Sequence, residues 1–276
     1  MRAELRVERA SESILRRYPV TSYFLLTFAI SWTGALTVAA PSLTHHTPMP
    51  RLSGILIFPA MLLGPLAGGL LMTCLVDGRA GIRELAKKMV RCRVSPGWYA
   101  VLLLPPLMIL AVLSVLARTS SPAFAANHFW LGVAFGVPAG ICEEIGWMGF
   151  AFPKMRAQRN ALSAALVLGL LWSVWHLPAI NFLGASAPHG RLWFEYFLAF
   201  AFVMTAMRAL IAWIYTNTGS VLLTQLMHIS STGALVVFSP PVTSRQEVFW
   251  YAIYGAILWC LVTLVTVAQG RNLRTK

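Results

Sequence analysis

Eight stretches of this sequence are apolar over lengths that match the hydrocarbon core of a bilayer, which takes about 20 helical residues to cross. They are 20–41, 53–75, 97–117, 128–152, 161–182, 193–215, 220–239 and 249–268, joined by short connections. Such runs cannot form the outside of a soluble domain. With 58% of the 276 residues hydrophobic and 11% charged, too little polar surface exists to cover a core of that size. The runs are continuous rather than alternating, which excludes a closed barrel of short strands. The predicted class is therefore all-α, a multi-pass integral membrane protein of about eight transmembrane helices. Pro105 and Pro106 interrupt the third segment, Pro178 the fifth and Arg208 the sixth. Such breaks are tolerated where neighbouring helices satisfy the freed backbone groups.

The net charge of +13 would suggest nucleic-acid binding in a soluble chain. Its distribution gives a different answer. Arg2, Arg6, Arg9, Arg16 and Arg17 precede the first segment, and Arg79, Arg83, Lys87, Lys88, Arg91 and Arg93 follow the second. Lys154, Arg156 and Arg159 follow the fourth, and Arg271, Arg274 and Lys276 follow the last. Seventeen basic residues thus lie on one side, against Arg51, Arg118, Arg191 and Arg245 on the other. By the positive-inside rule both termini are cytoplasmic, and the charge sets orientation. Membrane lipids, anionic ones at the basic loops, are the expected partners, and nucleic acid is not. The organisation expected is a basic cytoplasmic tail at 1–19, one membrane domain at 20–268 and a second basic tail at 269–276. The first tail forms either a short interfacial helix or a solvated, orienting segment. The first span reads as retained rather than as a cleaved signal peptide, because no small-residue cleavage pattern closes it. The expected location is the cell membrane, the bacterial inner membrane in particular. Cys74, Cys92, Cys142 and Cys260 make no CxxC pair, so neither a disulfide nor a thiolate metal cage is expected.

The informative residues are the polar ones placed in lipid, where a charge at a helix centre costs about 2.5–3.5 kcal/mol on insertion scales. Glu143 and Glu144 lie together in the fourth segment, His176 in the fifth and His228 in the seventh. Adjacent helical residues point about 100° apart, so Glu143 is read as aimed at the chemistry and Glu144 as its support. Trp172 shares a helix face with His176, and His228 shares one with Thr232. Brought together, Glu143, His176 and His228 can activate water, either as a general base with histidine partners or as ligands of a divalent metal such as zinc. Thr232 can donate to a developing oxyanion. Counted from the inner ends of their segments, Glu143 is nine residues deep, His228 eight and His176 fifteen, so one histidine is out of level. His45 and His46 are read as an external turn, and His128 and His189 as facing the interface. Trp130, Trp147, Trp172, Trp175, Trp193, Trp213 and Trp250 are read as belt or packing residues. Arg208 is expected to snorkel to the cytoplasmic surface, with an ion pair to Glu144 as the alternative.

The stretches EEIGWMGF at 143–150, WSVWHLP at 172–178 and WIYTNTGSVLLTQLMHISST at 213–232 resemble the CPBP (Abi/Rce1-like) family of intramembrane endopeptidases, over roughly residues 128–235. The family motifs are a Glu-Glu pair followed at the fourth residue by Arg, an aromatic four before a His, and a His four before an Asn or similar small polar residue. The resemblance implies a water-activating role for Glu143, a supporting carboxylate in Glu144, and water- or metal-binding histidines in His176 and His228. It also implies a pocket open toward the cytosol. Thr232 stands where the family often has Asn, and Trp172 where it has Phe. Met148 occupies the arginine position and cannot pair with Glu144. Three readings follow. The first is an endopeptidase acting on a lipidated or membrane-associated peptide, with or without metal. The second is a non-catalytic binding or immunity protein, motivated by Met148. The third is a proton- or ion-coupled transporter, for which no inverted repeat is evident.

Overall fold

The computed structural model describes residues 14–182 and 189–274. Arg2, Arg6, Arg9, Lys276 and most of the proposed tail helix lie outside the described residues, which begin with a short helix at Ile14–Arg17. Eight principal helices follow: α1 (Pro19–Thr44), α2 (Arg51–Met89), α3 (Leu104–Thr119), α4 (Val133–Gly146), α5 (Ala161–Trp175), α6 (Trp193–Thr218), α7 (Val221–Val237) and α8 (Ser244–Gln269). No strand occurs among the described residues, and the all-α, multi-pass membrane class holds. Five helical segments, those containing α1, α2, α3, α6 and α8, are long and apolar enough to cross a membrane. The other three expected spans fall on α5 and α7, which are shorter, and on α4.

The departures from the expected boundaries have local causes. The third segment divides into Gly97–Val101 and α3, where Pro105 sits in the first turn, the helical position that needs no backbone N–H. The fifth ends at Trp175, with His176 as its C-terminal cap, and restarts as Leu177–Phe182 with Pro178 in its first turn. α2 runs on past its apolar part because the basic connection after it is also helical. Gly78, at φ 65° and ψ −159°, breaks the rod where lipid-facing sequence gives way to Arg79, Arg83, Lys87 and Lys88. α4 continues through a π-helical turn at Trp147–Ala151 into Phe152–Arg156. The N-terminal turn of α8 is closed by a capping box between Thr243 and Gln246. The four cysteines are free, and Cys74, Cys92 and Cys260 are exposed.

α6 is the central element. In the segment Gly190–Thr218, 72% of the most apolar stretch is buried, against 28–44% for the other long spans. It packs on α5 and α8, while α4 packs on α7 and α2, and α1 on α2. In lipid no hydrophobic force draws helices together, so close backbone approach at small residues has to hold them. Gly136 and Gly140 form such a stripe on α4. A Cβ at Gly140 would stand 2.7 Å from the Gln225 carbonyl oxygen, and one at Gly136 would stand 2.9 Å from the Gly233 Cα. On α5, a Cβ at Gly169 would meet the Thr205 Cα at 2.8 Å. These contacts fall one or two turns from the intramembrane carboxylates and histidines, and they fix the separation of the helices that carry them.

The unequal depths expected for these residues come from unequal helix starts. Because the α4 rod extends to Arg156, Glu143 lies thirteen residues from its inner end, close to the fifteen of His176 from Ala161. His228 lies only seven residues into α7 because that helix begins deeper. Its first turn follows Gly219 in a left-handed conformation, and the adjoining Ser220 is fully buried, donating to the Arg91 carbonyl oxygen at 2.6 Å.

Gly140→Val forces α4 and α7 apart, and overpacking of this kind costs about 1–3 kcal/mol. The expected result is a lower Tm of the detergent-purified protein with helicity retained by circular dichroism. An impermeant maleimide is expected to label Cys92 only from the cytoplasmic face, and labelling from the opposite face would reverse the topology.

Candidate active site

The helices α4, α5, α6 and α7 each bring at least one polar side chain to a common centre. Glu143 and Glu144 are 2% and 0% exposed, His228 is 1% exposed and Arg208 is 0% exposed. Their arrangement follows from which atoms can donate. Arg208 Nη1 donates to both oxygens of Glu144, at 2.7 and 2.9 Å. Its guanidinium carbon lies 4.1 Å from the centroid of the Trp172 ring. Arg208 therefore pairs with Glu144 and does not snorkel. The surface was the expected destination, but the guanidinium finds both an anion and an aromatic face inside the bundle, which stabilise it where it is.

His228 Nδ1 lies 2.7 Å from Glu144 Oε1. A carboxylate held by arginine can only accept, so Nδ1 carries a proton, and in the neutral ring Nε2 presents a lone pair. That Nε2 is 4.0 Å from Glu143 Oε1. The other oxygen of Glu143 is occupied, because Oε2 accepts from the indole N–H groups of Trp147 at 3.1 Å and Trp172 at 2.7 Å. Glu143 thus has one oxygen fixed and one free toward His228. His176 Nδ1 lies 2.8 Å from the Trp172 carbonyl oxygen, an obligate acceptor, so in the neutral ring its Nε2 is the unprotonated nitrogen. Its ring meets Trp172 edge-on at 5.2 Å, and Trp172 in turn meets His228 at 5.2 Å. The structure thus gathers Glu143, Glu144 and His228 directly and sets His176 across the Trp172 ring. Thr232 lies one turn beyond His228, half-buried like His176, and its hydroxyl has no partner among the described residues. Met148 is fully buried.

The free oxygen of Glu143 and Nε2 of His228 suit a water molecule. At 4.0 Å apart, both can accept from one water at about 2.8 Å, with an angle of roughly 90° at the water. A zinc ion bonded at about 2.0–2.1 Å would need a tetrahedral ligand pair about 3.4 Å apart. No group of three or more His, Cys, Asp or Glu side chains is placed to hold a metal among the described residues. Glu143, His176 and His228 therefore do not fit a three-ligand metal cage in this arrangement.

One reading of the sequence is extended here and another corrected. Trp147 and Trp172, read as belt or packing residues, are buried and also donate to the Glu143 carboxylate, whereas Trp130 is 65% exposed. The signal lay in the spacing, since Trp147 is four residues after Glu143 and Trp172 four before His176. His128 is exposed, but His189 is buried, with Nε2 3.0 Å from Glu247 Oε2 and its ring stacked 3.6 Å from that of Tyr196. The acidic partner comes from α8, which no local pattern around His189 announces.

Residues 124–234, the stretch that holds these side chains, match the family model described as type II CAAX prenyl endopeptidase Rce1-like. Over 233 residues the chain is 26% identical to a protein of Methanococcus maripaludis named CAAX prenyl protease 2, an alignment covering 77% of this chain and 82% of the relative.

Glu144→Gln leaves Arg208 buried without its anion. Removing one partner of a buried pair costs about 3–5 kcal/mol. A large fall in Tm is expected, together with recovery when Arg208 is replaced by Met in the same chain.

Proposed function

Because the chain belongs to the Rce1-like CAAX endopeptidase (CPBP) family of membrane proteases, we propose that it hydrolyses a peptide bond of a lipidated or membrane-associated substrate with a water activated by Glu143. The observation that carries this reading is the half-occupied carboxylate of Glu143, with Oε2 bound by two indoles and Oε1 free opposite His228 Nε2. A water between these atoms donates one hydrogen to Glu143 and the other to His228, so a lone pair points at the substrate carbonyl. Glu143 takes the proton as the C–O bond forms, and later delivers it to the departing amine. The oxyanion that develops accepts from the Thr232 hydroxyl. His176, with Nε2 free at the half-buried edge of the site, binds the incoming peptide or a second water. Glu144 holds the tautomer and ring orientation of His228 and does not touch the substrate.

A chain that carries a lipid anchor beside the scissile bond arrives already in the bilayer, which suits a centre enclosed by membrane helices. The name of the archaeal relative supports a prenylated chain as the first substrate to try. The 4.0 Å separation supports a mechanism without metal, as an alternative to the metal-assisted one. The non-catalytic reading rested on Met148, and it loses weight because Glu144 has Arg208 as its cation.

Purified protein in proteoliposomes is expected to cleave a prenylated or membrane-anchored peptide, and Glu143→Gln to lower kcat by about 10²–10⁴-fold at unchanged Tm. Activity is expected to survive a chelator. Cleavage undiminished in Glu143→Gln would sink the mechanism, and loss on chelation that zinc restores would replace it with a metal-assisted one.

A further inference from the structure

Arginine 208 is on α6, far in sequence from the Glu-Glu pair, yet it is the cation that Glu144 uses. It is held by few partners. Its Nη1 takes both carboxylate oxygens, its plane lies on Trp172, and its Nε and Nη2 find no hydrogen-bond partner among the described residues. The same Trp172 donates its N–H to Glu143 at 2.7 Å. One indole therefore touches both halves of the site, its face against the cation of Glu144 and its edge against Glu143. A phenyl ring, as in the family motif, would offer the face but not the N–H. At the position of the arginine in the family motif, this chain buries Met148.

We propose that Arg208 and Trp172 act as a single positioning unit that replaces the arginine absent at position 148. Arg208 holds the Glu144 carboxylate, which holds Nδ1 of His228, while Trp172 fixes both the plane of Arg208 and Oε2 of Glu143. Neither residue touches the substrate. Their effect is to keep Glu143 Oε1 and His228 Nε2 at the separation that seats one water. This inference rests on the water-activation reading above.

A positioning unit affects kcat and spares KM, and its members are not additive. In the cleavage assay Arg208→Met is expected to lower kcat by about 10²-fold, the loss that a displacement of about 1 Å produces, with KM within about threefold of wild type. Trp172→Phe keeps the face and loses the donor, so a loss of about 10-fold is expected, and the double variant should be no worse than Arg208→Met alone. Restoring arginine at its other position, Met148→Arg in the Arg208→Met chain, should recover at least about 10-fold in kcat. Where Arg208→Met fails to fold, Arg208→Lys takes its place. It keeps the charge and loses the fork, and the same split between kcat and KM is expected of it. A kcat within about threefold of wild type for the arginine variants, additive losses with Trp172→Phe, or a folded swap variant no better than its parent each overturn the proposal. A wild-type protein that cleaves nothing overturns the proposed function as well. Wild-type cleavage alongside an indifferent Arg208 overturns the positioning unit alone.

Discussion

Two opposite charges that never meet water hold this structure's centre. Glu144 and Arg208 are each fully buried, and taking either from water alone would cost several kcal/mol. Together they are tolerable, because one nitrogen reaches both oxygens and an indole face lies under the guanidinium. The pair joins α4 to α6, and the remaining polar contacts build outward from it. His228 from α7 takes its orientation from Glu144, and Trp172 from α5 takes its place against Arg208 before reaching Glu143. Such contacts require the helices to approach closely, which the glycines at 136, 140 and 169 permit.

Glu143 is the carboxylate left without a cation of its own. Two indole donors stabilise one of its oxygens, and the other faces a histidine nitrogen at 4.0 Å. In an interior of low dielectric each of these interactions is stronger than in water, and an unfilled position is correspondingly costly. The division of labour between the two glutamates follows from their partners. Glu144 is taken up by arginine and histidine, whereas Glu143 keeps one oxygen without a hydrogen bond, and the proposed mechanism gives the proton to that oxygen. The π-helical turn beginning at Trp147 follows the pair directly, and π turns of this kind recur at functional sites.

Much of this was legible in the residues. Long apolar runs set the solvent, and the asymmetry of arginine and lysine gave an expected orientation. Glu143, Glu144, His176 and His228 declared themselves by being polar in lipid. The apparent misfit in depth arose because apolar length measures hydrocarbon thickness and not where a helix begins. α4 extends to Arg156 beyond its apolar run, and α7 starts below a buried turn. Arg208 was misjudged for a similar reason. Its distance along the helix to the surface is visible in the sequence, whereas the anion beside it belongs to a residue 64 positions away.

The sequence by itself determined the all-α membrane class, the apolar runs and the set of polar side chains placed among them, because hydropathy and helical spacing are local properties. Only the tertiary structure decided who pairs with whom. It turned two tryptophans from packing residues into donors, assigned the tautomers of two histidines through their partners, and drew His189 inside against Glu247. It also supplied a cation for Glu144 that the local motif lacks. A hydrogen bond depends on distances of about 3 Å and on which atom holds the proton, and those are fixed between helices rather than along one.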